Sequence, residues 1–156
     1  VDVEYIKNQL TGELALRDFN FLLATHPGGI EVRIEDNRCG TMRLMSLSSL
    51  LLVQRNRAAS ISLNTSMPPS VSAPYERRIG IRDNQLGTGG LGITLEGAAR
   101  KALALSGNQG GSLGLSGSAD LVVEGLNILN TLNTFATYSF GNTFVDAPVD
   151  SQGIPY

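Results

Sequence analysis

Residues 30–45 read IEVRIEDNRCGTMRLM, and they carry the clearest secondary-structure signal in the chain. Apolar and charged residues alternate strictly over 30–35, which is the pattern of a strand that is buried on one face. Residues 36–40 have turn-forming chemistry, and apolar and polar residues alternate again over 41–45. The stretch therefore predicts a β-hairpin, with two antiparallel strands joined at the turn.

Shorter alternations predict further strands along the chain. They lie at residues 60–63, 78–82, 93–95 and 136–140. Residues 47–53 are apolar and fit either a short helix or a buried strand. The glycine-rich residues 107–117 predict a flexible loop, and their GGSLGLSG echoes GGLGITL at 89–95 without any longer internal repeat.

Three segments predict helices. Apolar residues spaced three and four apart follow the N-cap residue Asp2 over 3–21. Residues 96–105 include strong helix formers, and residues 119–134 carry apolar residues at a period of three beside a ladder of Asn and Thr. We therefore expect a β-rich α+β fold. Its antiparallel sheet would form a sandwich or barrel, with an N-terminal helix and one or two helices in the last third.

The chain of 156 residues is predicted to be a single domain over 1–156, because no segment in it has the composition of a linker. Two segments stand apart as an extended loop, 65–75, and a C-terminal arm, 146–156. Both contain prolines, which favour extended backbone that pairs poorly in a sheet. The candidate interaction arms are carried by Pro68, Pro69, Pro74, Tyr75, Pro148, Pro155 and Tyr156.

Charge is sparse and unevenly distributed. Charged residues make up 17% of the chain and the formal net charge is −2, so the whole chain lacks the basic character of a nucleic-acid binder. Eight arginines nevertheless lie between Arg33 and Arg82, and no basic residue follows Lys101. This asymmetry predicts a basic face that could orient copies or contact an acidic partner. Its candidate residues are Arg55, Arg57, Arg77, Arg78 and Arg82.

Two short motifs could indicate a cofactor. Residues 87–92 read GTGGLG and fit the G-x-G-x-x-G pattern, but a dinucleotide site also needs a buried strand directly before it, and residues 77–86 are too polar. The string HPGG at 26–29 resembles the haem-ligand motif of the cytochrome b5 family. That family uses a second axial histidine, and His26 is the only histidine here, so we predict no haem.

No catalytic or metal-binding set stands out in the sequence. Cys39 is the only cysteine, which excludes an intramolecular disulfide and a cysteine-based zinc site. No serine has the context of a nucleophile elbow, and no acidic residues have the spacing of a calcium loop. The longest apolar run, Leu50–Val53, is far too short to span a membrane. We predict no enzyme activity, no cofactor, no metal site and no membrane span.

These observations favour a structural or assembly protein, a capsid, decoration or filament component of a multi-copy assembly such as a virion. Its partners would be copies of itself and other subunits, and a virion or extracellular location is favoured over others. Nucleic acid is not favoured, because aromatic residues are not interleaved with the arginines. Two alternatives stay open: a small ligand-binding or catalytic domain using His26 and Gly87–Gly92, and an arginine-mediated binder of an acidic partner.

Overall fold

A computed structural model describes residues 2–17, 30–45, 48–65, 77–95, 101–117, 123–124 and 133–140. All regular secondary structure in these residues is β-strand, and every strand pair that they form is parallel. The predicted α+β fold with an antiparallel sheet and terminal helices is therefore wrong. Within these residues no helix is long and apolar enough to cross a membrane.

The strands are short and follow one another closely along the chain. Their bounds are Asp2–Ile6 (β1), Glu13–Arg17 (β2), Glu31–Glu35 (β3), Thr41–Met45 (β4), Leu50–Gln54 (β5), Arg57–Ala58 (β6), Ser60–Asn64 (β7), Arg77–Arg82 (β8), Gln85–Leu86 (β9), Gly90–Leu95 (β10), Lys101–Ser106 (β11), Gln109–Gly117 (β12), Val123–Glu124 (β13) and Thr134–Phe140 (β14).

The strands form a parallel β-solenoid, in which each turn of the chain stacks on the turn before it. One sheet, which we call sheet A, has the strand order β1-β3-β5-β8-β11-β13. The other, sheet B, contains β2-β4-β7-β10-β12, with β14 added beside β12 and the short strands β6 and β9 at one corner. Each coil thus places one strand in sheet A and the next long strand in sheet B.

Residues 30–45 form two strands as predicted, but they do not form a hairpin. Strand β3 pairs with β1 and β5 in sheet A, whereas β4 pairs with β2 and β7 in sheet B. The alternation of apolar and polar residues determines which side chains are buried, and it does not specify the partner strand. The turn at 36–40 directs the chain into the second sheet and does not fold it back on the first.

The core consists of aliphatic side chains that stack in columns between the two sheets. In sheet A, Ile34, Val53 and Ile81 occupy matched positions on successive strands and are fully buried. In sheet B, Leu44 and Leu63 stack in the same way. Burying an aliphatic side chain of this size stabilises the fold by about 1.5–3 kcal/mol. Because aliphatic side chains of one coil stack on aliphatic side chains of the next, each additional coil buries apolar surface of the coil before it.

The predicted helices are wrong wherever the structure describes them. Residues 3–21 contain β1 and β2, and two residues of the supposed apolar helix face, Ile6 and Leu10, are 38% and 42% exposed. Of residues 96–105, the described part forms β11. Of residues 119–134, the described ones are the two residues of β13, Asn133, which lies outside any strand, and Thr134, which begins β14. The three- and four-residue spacing over 3–21 combines apolar residues of two strands with apolar residues at the corner between them, so it does not mark one face of a helix.

The ambiguous and flexible segments are also strands. Residues 50–53, within the apolar stretch 47–53, lie in β5. Residues 107–117, predicted as a loop, are mostly β12. The four short alternations, 60–63, 78–82, 93–95 and 136–140, are confirmed as strands. Glycine does not prevent strand formation here, because the parallel neighbours on both sides of β12 supply its hydrogen bonds.

Candidate functional site

The strands of sheet A end at one corner of the solenoid, and an asparagine occupies that corner in each coil that the structure describes there. The residue before each of the first five of these asparagines has a positive φ, such as 56° at Asp36, 55° at Arg55 and 65° at Gly107. This left-handed conformation turns the chain sharply out of sheet A. The asparagines, which we call the asparagine ladder, are Asn8, Asn37, Asn56, Asn84, Asn108 and Asn133.

The asparagine ladder is a continuous chain of hydrogen bonds along the solenoid axis. The Oδ1 atom of Asn56 accepts from the backbone N–H and the Nδ2 of Asn37, at 2.9 and 3.0 Å. Its Nδ2 donates to the carbonyl of Ile34 at 2.9 Å and to Oδ1 of Asn84 at 3.0 Å. The four inner asparagines are 0–1% exposed. Buried amides must be paired, so the ladder fixes how the coils align at this corner.

The residue that follows each ladder asparagine therefore has a fixed place. These residues form a third row of parallel pairs along the solenoid, which we call the corner column. All are exposed, none is acidic, and neighbours are about 4.8 Å apart, the spacing of paired strands. The corner column consists of Gln9, Arg38, Arg57, Gln85, Gln109 and Thr134.

Two arginines lie side by side in the corner column, beside an open concavity. Arg38 and Arg57 are direct partners in adjacent coils. Together with small residues that include Ala58, Ala59 and Gly87, they line a concavity of about 440 Å³, which we call the Arg38–Arg57 notch. Within the described part of the chain, the ion pairs formed by arginines involve neither of these two side chains. The notch therefore presents two positive charges to solvent.

The predicted basic face does not form one surface. Arg55 makes ion pairs with Asp36 and Glu35, both at 2.9 Å, and its hydrogen bond to Asp36 holds the pKa of that carboxyl below its usual value. Arg78 and Arg82 are exposed on strand β8 of sheet A, on a different side of the solenoid. Arg77 begins the same strand, and its side chain lies outside the described part.

Among the predicted basic residues whose side chains the structure describes, only Arg57 lies in the notch, and its partner Arg38 was missed. The dipeptide Asn-Arg occurs at 37–38 and again at 56–57, each time after a residue with a positive φ. This repeated dipeptide is the sequence signal for the pair, because it marks equivalent corners of adjacent coils, at which the two arginines become neighbours. The carboxylates Glu35 and Asp36 are held by Arg55, so they form a structural ion-pair cluster.

The glycines at 87–92 have a packing role at the same corner. The Gly87 N–H donates to the carbonyl of Ala58 at 2.9 Å, and the Gly87 carbonyl accepts from Gly111 at 3.2 Å. A Cβ atom at Gly89 would lie 2.5 Å from the carbonyl oxygen of Ala59, so a larger residue would push the coils apart. The Gly87 N–H is thus already bonded to the neighbouring coil and is not available to a phosphate.

Cys39 is buried beneath the notch. Its side chain is 8% exposed, and burial raises the pKa of its thiol. A buried thiol with a raised pKa is a weak nucleophile. His26 and the seven candidate arm residues at 68–75 and 146–156 lie outside the described part of the chain.

The outer surface of sheet B changes character along the solenoid. In its first two strands the outward residues include Glu13, Arg17 and Arg43. From β7 onwards they are small and uncharged, and we call this surface the hydroxyl-rich face. It is formed by Ser60, Ser62, Asn64, Gly92, Thr94, Ser112, Gly114, Ser116, Thr137 and Ser139.

Glycines form a shallow trough in the hydroxyl-rich face. Gly92 and Gly114 are paired neighbours, and with Ser116 and Ser139 they line a depression of about 240 Å³.

Across the described residues, no group of three or more His, Cys, Asp or Glu side chains could hold a metal ion. Comparisons with known proteins find no matching family model, no similar curated protein and no similar solved structure.

Proposed function

We propose that the chain is a structural module of a multi-copy assembly and that its hydroxyl-rich face packs against a neighbouring copy. The supporting observation is that the outward positions of β7, β10, β12 and the described part of β14 carry no charge. Burying charged groups costs free energy unless they are paired, whereas small hydroxyl groups can exchange water for hydrogen bonds across an interface. Glycines at 92 and 114 further allow close approach of a second surface.

The size of this face indicates what kind of assembly it can support. Four strands at about 4.8 Å spacing, each about five residues long, give a face of roughly 20 Å by 17 Å. That area is well below the ~800 Å² per partner of a stable two-protein complex. A single contact would therefore be weak, and we expect association through many repeated contacts in a filament or shell, where avidity compensates.

Analytical ultracentrifugation with two matched variants tests this proposal. Ser62 is exposed on β7, the first strand of the hydroxyl-rich face, and Ser62→Glu places a charge on that face. Ala104 is exposed on sheet A, and Ala104→Glu adds the same charge elsewhere. We expect the wild type and Ala104→Glu to form larger species as concentration rises over a hundredfold range, and Ser62→Glu to stay monomeric.

Two outcomes would contradict the proposal. A wild-type chain that sediments as a monomer at every concentration would argue against self-assembly. Equal weakening by Ser62→Glu and Ala104→Glu would indicate a general effect of net charge and not a contact at this face. If the wild type does form larger species, electron microscopy of these species distinguishes the two proposed assemblies, a filament and a closed virion-like shell.

A further inference from the structure

We propose that the Arg38–Arg57 notch binds an acidic polysaccharide, with both guanidinium groups donating to one carboxylate or sulfate group. This inference is independent of the proposed assembly, because the notch and the hydroxyl-rich face are different surfaces. A guanidinium presents a planar fork of N–H donors that matches the oxygens of an oxyanion. Two such forks, about 4.8 Å apart on paired residues, can contact a single oxyanion between them.

The notch arginines differ from other arginines in the first coils. Arg43 pairs with Glu13 at 3.2 Å, and Arg55 pairs with Asp36 and Glu35 at 2.9 Å. Arg38 and Arg57 have no such partner among the residues that the structure describes, and they repel each other. A bound oxyanion would relieve that repulsion, and the corner column holds no acidic side chain that would compete with it.

The rest of the corner column indicates what carries the oxyanion. Gln9 precedes the arginine pair, and Gln85 and Gln109 follow it at successive rungs. Amide side chains donate to and accept from hydroxyl groups. Two charges flanked by amides fit a polymer in which anionic groups are separated by hydroxyl groups, which is the chemistry of an acidic polysaccharide.

The same column fits a nucleic acid poorly. A nucleic acid carries a phosphate at every nucleotide, and proteins that bind single strands stack the bases on aromatic side chains. The corner column has a cation on only two adjacent rungs and contains no aromatic residue. The concavity of about 440 Å³ is open to solvent, so a sugar unit of a longer chain can lie in it beside the two arginines.

Fluorescence anisotropy with a labelled oligogalacturonate tests the proposal. The variants are Arg38→Gln with Arg57→Gln, and as a matched control Arg78→Gln with Arg82→Gln. The control removes the same two charges from exposed positions on β8, which are about 13 Å apart along the strand and too far apart to share one oxyanion. All four arginines are exposed, so we expect unchanged unfolding midpoints in both double variants.

We expect the notch variant to lose at least tenfold in affinity and the control to change by less than twofold. The methyl ester of the same oligosaccharide, which lacks the charge, should not bind. A sulfated oligosaccharide is tested in parallel to distinguish sulfate from carboxylate as the preferred oxyanion. Raising the salt from roughly 0.1 M to roughly 1 M shortens the Debye length from ~10 Å to ~3 Å and should weaken binding.

Several results would overturn the proposal. These are equal losses in the two double variants, equal binding of the ester, and tighter binding of single-stranded DNA or poly-glutamate than of either acidic oligosaccharide. Binding of inorganic sulfate alone, with no gain from the sugar, would leave a simple anion site and would also contradict it. Repeating the titration in Ser62→Glu separates the two proposals, because the notch should still bind when assembly is lost.

Discussion

The two connections of each coil, from sheet A to sheet B and from sheet B back to sheet A, differ in how regular they are. Where the chain leaves sheet A, the described coils have the same corner, in which a left-handed residue precedes a ladder asparagine. Where the chain returns from sheet B to sheet A, the connections differ greatly in length. Residues 46–49 join β4 to β5, whereas residues 18–30 join β2 to β3.

The difference follows from where hydrogen bonds must be satisfied. The asparagine ladder is buried, so each amide has to meet its neighbour in the next coil. A return connection has only to span the distance between two strands, and lengthening a loop costs little. As a result the spacing between ladder asparagines varies from 19 to 29 residues although the corners are equivalent.

The largest expected effect comes from breaking the ladder at an inner rung. In Asn84→Ala, the buried backbone N–H of Asn56 loses its acceptor, and the Val53 carbonyl loses a donor. Each unsatisfied buried group costs about 1–3 kcal/mol, so the free energy of unfolding should fall by about 3 kcal/mol or more. Urea denaturation followed by circular dichroism measures this loss.

The matched control for that substitution is Asn8→Ala. Asn8 is the first described rung, it is exposed, and it donates to Asn37 at 2.9 Å. Solvent can replace its contacts, so we expect a loss below about 1 kcal/mol. Equal effects of the two substitutions would contradict the view that burial makes the inner rungs essential.

Much of the strand content, but not the fold, could be predicted from the sequence. Alternation over 30–35 and 41–45 located two strands correctly, because inward and outward side chains differ in polarity in any half-buried strand. Alternation contains no information on which strands pair. The asparagines that do contain it recur at irregular intervals of 19 to 29 residues, so the sequence shows no fixed period that would indicate parallel stacking.

The candidate notch was predictable in part for the same reason. Arg57 was included in the basic face from the local density of arginine, whereas Arg38 was not. Their proximity depends on the parallel register between coils that are 19 residues apart in sequence at Asn37 and Asn56. Charge density along the chain cannot reveal a pair formed by stacking, and this is also why Arg55, Arg78 and Arg82 do not join it.

A smaller effect is expected from lengthening a return connection. Inserting Gly-Ser-Gly-Ser after residue 98, between β10 and β11, roughly doubles that connection. Doubling a loop costs about 0.6 kcal/mol, so the urea midpoint should shift only slightly. The same insertion between Asn84 and Gln85 would displace the corner column from the ladder, and we expect it to lower the urea midpoint by more than the insertion after residue 98 does. Similar tolerance at both sites would contradict the asymmetry between the two ends of the coil.

The smallest expected effect concerns the solvent side of the asparagine corner, at the ion pair between Asp36 and Arg55. The Arg55 guanidinium lowers the pKa of the Asp36 carboxyl, so this carboxylate stabilises the fold above its unfolded-state pKa of about 3.9, and that contribution is lost as the pH falls through the lower folded-state pKa. Asp36→Asn retains a residue that tolerates the positive φ and removes the charge. We expect the unfolding midpoint of the wild type to exceed that of Asp36→Asn at pH 7 and the difference to disappear below the folded-state pKa. A difference that stays constant with pH would show that the ion pair does not contribute, and that only the buried side of this corner stabilises the coil.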